Sequence, residues 1–339
     1  MDYKGKTVKI LLKDKTILQY KITDPPLARG GEGVIYRFDH KVEETVTTYI
    51  LKLYLTHQKA ARNYAKVHCM FNNPVRSTYE NVRFCWPIGM VYDNRTFDFY
   101  GFAMQEAFNN SRDLEILSTY HINSSIASHY PTFPQWHGKF ELDTAIGLRN
   151  RLRLLYKWSL AILELQNRGQ IVVADVKPGN VMCTAEGQIS IVDIDSMQYN
   201  HKGHIYLSTA HSPEYCHPDV HNNKSLLLNL PTSFDAYSMA TSFYMILTGT
   251  HPFDNIINLP PYDQDKYQKV SSMIKAGLYL RGKKKNFLVP VKGFNLHANF
   301  DRLPEKLKFL FNQTFTLPLD GIPTVKDWCI TLKEIAYAK

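Results

Sequence analysis

The 339-residue chain has no apolar run near the roughly 20 residues that a membrane-spanning helix needs. The opening Met1-Asp2-Tyr3-Lys4-Gly5 lacks the charged-then-apolar layout of an export signal. Cysteine is scarce: Cys69, Cys85, Cys183, Cys216 and Cys329 are widely spaced, and no two stand in a CxxC pair. That count is odd and the spacing irregular, which excludes a disulfide framework or a zinc cluster as the organising principle and points to a reducing cytoplasm. Internal repeats and low-complexity tracts are absent, so a solenoid or a disordered linker protein is excluded as well.

What the chain does have is an ordinary globular composition. Hydrophobic residues make up 44% and charged residues 21%, enough apolar material for a sizeable core or two lobes. Lys and Arg exceed Asp and Glu by 40 to 31, a net charge of +9. Such an excess permits attraction to nucleic acid, acidic peptides or anionic lipid. The densest run, Arg281-Gly282-Lys283-Lys284-Lys285, has no interleaved aromatics and no base-reading motif. A solvated loop is therefore expected there; neither a membrane nor nucleic acid is the expected partner, although the charge alone does not exclude the latter.

Residues 6 to 55 read as strands. Val8–Leu12 and Ile17–Ile22 flank Lys13-Asp14-Lys15-Thr16, a hairpin turn, and Val34–Phe38 and Tyr49–Tyr54 follow. His57–Met70 reads as a helix, and Trp86–Val91 and Phe97–Met104 as two more strands. Residues 109 to 140 are polar and irregular. From Leu148 to Arg168 a strong helical pattern appears, with Gly169 as its stop. Beyond it the chain reads as helical except for two motif loops and the stretch from Asp195 to Pro231.

Those two loops carry the chemistry. Ala174-Asp175-Val176-Lys177-Pro178-Gly179-Asn180 and Ile191-Val192-Asp193-Ile194-Asp195 each set polar, metal-competent side chains at the edge of an apolar β-branched run. Phosphoryl transfer needs such a set: a carboxylate to orient an attacking hydroxyl, a cation near the transferred phosphate, and oxygen ligands for Mg²⁺. Taken alone, Asp-Pro-Gly-Asn chemistry also suits a plain turn between strands.

The spacing resembles the protein kinase superfamily, whose catalytic loop reads H-R-D-x-K-x-x-N and whose metal loop reads D-F-G. The resemblance runs from about Ile22 to Leu332. It implies a bilobal α+β fold, with residues 1–105 as a β-rich N-lobe carrying an extra N-terminal hairpin and 106–339 as a mainly helical C-lobe, and ATP with Mg²⁺ in the cleft between them. On this resemblance Asp175 orients the substrate hydroxyl, Lys177 stabilises the transferring charge, and Asn180 and Asp193 hold Mg²⁺. Ala28, Gly30, Gly31, Gly33 and Ile35 belong to the glycine-rich phosphate loop, with Ala28 where the family has its first glycine. Lys52 meets the α- and β-phosphates, Met104 guards the deep pocket, and the backbones of Glu106 and Ala107 meet adenine. Asp219 ends the activation segment, and Asp235 holds the catalytic-loop backbone. Leu247-Thr248-Gly249-Thr250-His251-Pro252-Phe253 matches L-x-x-G-x-x-P-F.

Four departures stand out. No glutamate lies between His57 and Met70, where the family pairs one with the lysine; Asn63 or Tyr64 aligns there. Val173-Ala174 replaces His-Arg, removing the usual reader of a loop phosphate. Ile194-Asp195 replaces Phe-Gly, and Asp195 is expected to add a metal oxygen or accept backbone hydrogen bonds. Asp219 and Ile322 replace both ends of a salt bridge, so another contact must anchor the activation segment.

The resemblance implies a protein kinase acting on Ser or Thr of a protein substrate, the hydroxyl preference resting on Lys177. A pseudokinase or an aminoglycoside-phosphotransferase-like enzyme are the alternatives. Trp86-Pro87, Met104 and the late Asp327-Trp328 further resemble a bacterial branch found beside tellurite-resistance and phosphatase genes, or fused to helix-hairpin-helix modules, which implies a cognate phosphatase as partner. Ser196, Tyr199, Ser208, Thr209 and Ser212 are the candidate autophosphorylation sites.

Overall fold

The computed structural model describes residues 1–118, 133–169, 171–263, 265–293 and 295–338. Of the segment expected to be irregular, 109–140, residues 119–132 lie outside the described residues, and Phe133–Phe140 is helical instead. The chain divides into two compact units, Met1–Asn109 with Val192–Asp195, and Asn110–Ile191 with Ser196–Lys339. The first is built on a sheet and the second mainly on helices, giving an α+β protein.

In the first unit, β1 (Thr7–Leu12), β2 (Ile17–Lys21), β3 (Ala28–Arg29), β4 (Gly33–Val42) and β5 (Thr45–Tyr54) precede helix α1 (His57–Asn72); β6 (Val82–Phe84), β7 (Pro87–Asp93) and β8 (Phe99–Gln105) follow. Seven of these strands form one antiparallel sheet in the order β2-β1-β7-β8-β5-β4-β3. The N-terminal hairpin thus extends the sheet beside β7. Its turn is closed by the Thr16 N–H on Asp14, with Lys15 in the left-handed region at φ 71°.

Period-two alternation sorts β5 onto two cores. Tyr49, Leu51 and Leu53 pack with Val8, Ile10, Val34 and Tyr36 on one face. Ile50 and Tyr54 pack with Ala60, Val67 and Phe71 of α1 on the other, and Val192 adds to that second core. Lys52 lies in register between Ile50 and Tyr54, so it shares their helix-side face. Thr56 caps α1 by accepting the Lys59 N–H at 3.1 Å.

The second unit holds β9 (Arg112–Asp113), α2 (Phe133–Phe140), α3 (Ala145–Asn167), β10 (Val181–Cys183), β11 (Ile189–Ile191), β12 (Tyr199–His201), β13 (His204–Tyr206), α4 (Pro218–Asn222), α5 (Ser233–Thr248), β14 (Ile256–Asn258), α6 (Val270–Lys275), β15 (Leu288–Pro290), α7 (Glu305–Thr316) and α8 (Val325–Ala336). Helix α5 is buried around almost its whole circumference, as its apolar sequence requires, and ends at Gly249 with φ 82°. Trp158 of α3, Phe243 of α5 and Trp328 of α8 meet edge to face, with centroids 5.4 and 5.9 Å apart. The stretch after α5, expected to be helical, instead includes a two-stranded ribbon in which Ile257 of β14 faces Val289 of β15.

Candidate functional site

The catalytic-loop residues come together in the second unit. Val172 bridges to Gln198 through paired backbone bonds of 3.0 and 2.8 Å. The chain then turns through Ala174, at φ 67°, a conformation that costs an L-residue energy and must be held by its surroundings. Asp235, in the first turn of α5, holds it. Its two carboxylate oxygens accept the Val173 and Ala174 N–H groups at 2.9 Å each, and Gln166 Nε2 donates at 3.0 Å. Burial pushes the Asp235 carboxyl up to about 6 against the opposing pull of those donors.

Asp175 is buried and crowded with donors. Asn180 Nδ2 reaches its Oδ2 at 2.9 Å, Lys177 Nζ lies 2.7 Å from the same oxygen, and the Ser212 hydroxyl donates to Oδ1 at 2.8 Å. Lys177 Nζ also donates to that hydroxyl at 3.0 Å. A carboxylate and an ammonium therefore converge on one hydroxyl oxygen, an arrangement able to take a proton from an alcohol and stabilise charge beside it.

The segment that ends at Asp219 is anchored by contacts other than the family's salt bridge. Asp219 Oδ2 accepts the Leu319 N–H at 2.8 Å. His217 accepts the Asp219 N–H on Nδ1 at 3.1 Å and donates from Nε2 to the Leu317 carbonyl at 3.0 Å. Burial lowers the His217 pKa, which suits this neutral tautomer. Ile322, at the former arginine position, is simply buried. Of the candidate phosphorylation sites, Ser196 and Tyr199 are buried and so closed to an incoming kinase, and the Ser212 hydroxyl is engaged by Asp175 and Lys177. Ser208 Oγ donates to the Ala210 carbonyl at 2.8 Å, and Thr209 is only partly exposed.

The lysine station is complete within the first unit. Lys52 is 4% exposed, so it faces the core and not solvent. Its Nζ donates to Asp193, which adopts φ 56°, and to Asp195 Oδ1 at 2.5 Å. Tyr54 Oη, two residues along the same face of β5, donates to Asp195 Oδ2 at 2.8 Å. Each Asp195 oxygen thus accepts from a side chain of β5. Burial opposes the charge on Lys52, but Asp195 and Asp193 outweigh it and hold the ammonium above the usual lysine range. Burial also opposes the Asp195 charge, and Lys52, Tyr54 and Lys66 together hold that carboxyl below its usual value. Lys66, on the inward face of α1 and 3% exposed, is lowered to about 8 by burial, with Asp195 opposing the shift.

Other expected ligands line the same sheet. Ala28 and Ile35 face each other across β3 and β4, and Ile35 is paired with Lys52. A Cβ on Gly33 would come within 2.9 Å of the Leu53 carbonyl oxygen, so only glycine fits there, whereas Gly30 and Gly31 face open space. Glu32 at the loop tip pairs with Lys59 and Arg62 of α1 at 3.2 and 2.7 Å. Met104 is buried opposite Ile50. The Glu106 carbonyl accepts from Arg83 Nη1 at 2.7 Å, and its carboxylate pairs with Arg37 at 3.0 Å. The Glu106 carbonyl, expected to meet adenine, is thus already engaged by Arg83, and Ala107 follows immediately. Sequence reasoning missed Gly101: its added Cβ would lie 1.9 Å from the Lys52 carbonyl oxygen, so this glycine lets β8 approach β5 at the lysine.

Among the described residues, no group of three or more His, Cys, Asp or Glu is arranged to hold a metal ion. Mg²⁺ asks for less, since it binds one or two carboxylates and completes its shell with phosphates and water. Within the second unit Asn180 has its Nδ2 committed to Asp175 and offers Oδ1 as an oxygen donor; within the first, Asp193 offers a carboxylate; each is of the hardness Mg²⁺ takes.

The comparisons with known proteins decide the family. The protein kinase domain profile matches residues 114–295, more than half the chain. The chain belongs to the protein kinase domain family. An SNF1-related protein kinase catalytic subunit alpha from Arabidopsis thaliana is 31% identical over 142 residues, 42% of this chain and 25% of that protein. A serine/threonine protein kinase from Oryza sativa subsp. indica is 29% identical over 109 residues, 32% of this chain and 21% of that protein. This kinase-family chain thus spans about a quarter of the length of the curated relatives it matches. A rhoptry kinase from Toxoplasma gondii, known from a crystal structure, has a similar fold, with a TM-score of 0.58 at 12% identity over 99% of this chain and 85% of that one. The bilobal protein-kinase-like α+β fold follows from these matches. No helix among the described residues is long and apolar enough to cross a membrane.

Proposed function

We propose that the chain is an ATP- and Mg²⁺-dependent protein kinase that transfers the γ-phosphate to Ser or Thr hydroxyls of a protein substrate. One observation carries the reading: Asp175 and Lys177 converge on a hydroxyl, that of Ser212, at 2.8 and 3.0 Å. In transfer, Asp175 would accept the proton of the substrate hydroxyl as its oxygen bonds to the γ-phosphorus and the bond to the β-bridging oxygen breaks. Lys177 would offset charge on the moving phosphoryl group, and Lys52 the charge on the α- and β-phosphates. Asn180 and Asp193 would hold Mg²⁺, which supplies charge neutralisation across the phosphates. Backbone N–H groups from Gly30 to Gly33 would cradle the phosphates, with Ala28 and Ile35 flanking them. Ala107 and the Glu106 amide would meet adenine beside Met104.

The Ser/Thr preference rests on Lys177 and on the similarity to a serine/threonine protein kinase. The anchored segment from Ser212 to Asp219 favours a protein substrate over a small molecule, because it builds a platform beside Asp175. We further propose that residues 1–105 and 106–339 form one kinase domain. A cytoplasmic setting agrees with the five free cysteines, and a bacterial branch with a cognate phosphatase agrees with Trp86-Pro87 and Asp327-Trp328.

A pseudokinase is the second reading, favoured by the absence of any carboxylate on the inward face of α1. Mass spectrometry of the protein expressed alone, beside a Lys52→Ala control, separates the two. Phosphate on the wild type only supports the kinase. A thermal shift with ATP and Mg²⁺ but no phosphate on any substrate supports the pseudokinase.

A further inference from the structure

We propose that Asp195 is the positioning residue for Lys52, supplying from the metal loop the carboxylate that helix α1 lacks. The inference rests on the phosphotransferase reading and concerns the same site. Helix α1 presents only Asn63, Lys66 and apolar residues to its buried face. Asn63 does not hold Lys52: its Nδ2 donates to the Lys59 carbonyl of its own helix at 3.0 Å, its Oδ1 has no hydrogen-bond partner among the described residues, and its amide carries no charge. Lys66 has the wrong sign, and two buried ammonium groups with no carboxylate near them would repel.

Asp195 resolves both problems. It is 2% exposed, and its two oxygens point to different donors on one strand face, Lys52 Nζ at 2.5 Å and Tyr54 Oη at 2.8 Å. Fixing both oxygens fixes the carboxylate plane, so the lysine is held by a rigid acceptor rather than by a surface pair. Its charge is also of the sign that attracts Lys66 on the inward face of α1. A glycine at 195 would leave Lys52 with Asp193 alone, which is also needed for Mg²⁺. Because the anchor sits two residues from Asp193, orienting Lys52 requires a seated metal loop and not a movement of α1.

Three variants test the proposal: Asp195→Asn, Asp195→Asn with Lys66→Glu, and Asp195→Asn with Lys66→Gln. Circular dichroism and melting of each establish that it is folded. Phosphotransfer kinetics are read with ATP as the varied substrate, and Lys52 acylation by an amine-reactive reagent is followed by mass spectrometry. Asp195→Asn should lower kcat/KM for ATP by about 10²-fold, the scale for misplaced catalytic groups, and speed Lys52 acylation. The Lys66→Glu double variant returns a carboxylate to the helix and should recover at least about tenfold of that loss while slowing acylation again; the Lys66→Gln double variant should recover neither. Equal rescue by Gln and Glu would overturn the proposal, since Asp195 would then merely neutralise Lys66. Unchanged acylation in Asp195→Asn would overturn it too. Should the wild type transfer no phosphate, the kinase reading fails, and the acylation rates still decide the role of Asp195.

Discussion

The catalytic loop and the lysine station of this kinase-family chain solve the same physical problem in opposite ways. Both must hold a charged side chain, buried, at a fixed angle. The catalytic loop does so with backbone: Asp235 grips two consecutive N–H groups, and Asp175 follows one residue later. The lysine station does so with side chains: Lys52, Tyr54, Asp193 and Asp195 hold one another across β5 and the metal loop. A backbone grip tolerates change in side chains, which is how Val173-Ala174 can stand where the family has His-Arg. A side-chain grip tolerates change in which element supplies the partner, provided total charge is kept.

The contrast can be broken at its most buried point. Lys52→Met leaves Asp195 without its cation in a site closed to water, and removing one partner of a buried pair costs roughly 3–5 kcal/mol. Chemical denaturation should register that loss, and a loss under 1 kcal/mol would mean that Lys66 alone neutralises Asp195. Gly101→Ala comes next. Its methyl group would meet the Lys52 carbonyl oxygen at 1.9 Å, so β8 and β5 must separate, at the upper end of overpacking costs, about 3 kcal/mol. Melting measures that cost, and nucleotide affinity should fall with it because Lys52 moves.

The third test concerns the helical unit alone. His251 is buried with Nε2 on the Glu214 carbonyl at 2.9 Å, and burial lowers its pKa from 6.5 to about 4. The folded state therefore binds fewer protons than the unfolded state between pH 4 and 6.5. Stability contributed by neutral His251 is present above pH 6.5 and is lost as pH falls towards 4, a total of about 3 kcal/mol. Asp235, raised to about 6, acts in the opposite sense over nearly the same range, so the comparison must be made between chains. His251→Gln should show a flatter fall in unfolding free energy from pH 6.5 to 4 than the wild type; parallel curves would refute the assignment. The smallest effect is expected at Glu32→Ala. Its pairs with Lys59 and Arg62 are partly exposed and worth no more than about 0.5 kcal/mol, so the melt should hardly move.

Legibility in the sequence follows the same division. Asp175, Lys177 and Asn180 are readable because their spacing is local, and a turn with Pro178 and Gly179 fixes their relative positions. Lys52 is readable from its place in an apolar strand after the glycine loop, although period-two alternation alone leaves it facing either core or solvent. Its partner is not readable that way. The distance from residue 52 to residue 195 is closed by tertiary packing, and the only sequence signs were negative: no glutamate on α1 and an extra aspartate where glycine belongs. Gly101 gave a weak sign, a glycine inside a strand, that close backbone approach explains. The β14–β15 ribbon escaped because three-residue strands beside Pro260-Pro261 show no usable alternation.

The most direct test of the account is transfer of labelled phosphate from ATP to a mixed Ser/Thr substrate by the wild type and by Asp175→Asn. Label on Ser or Thr is expected with the wild type, and a rate lower by about 10²–10⁴-fold with Asp175→Asn, the usual contribution of a positioned base. Equal rates from the two proteins, or no label from either while ATP still binds, would contradict it.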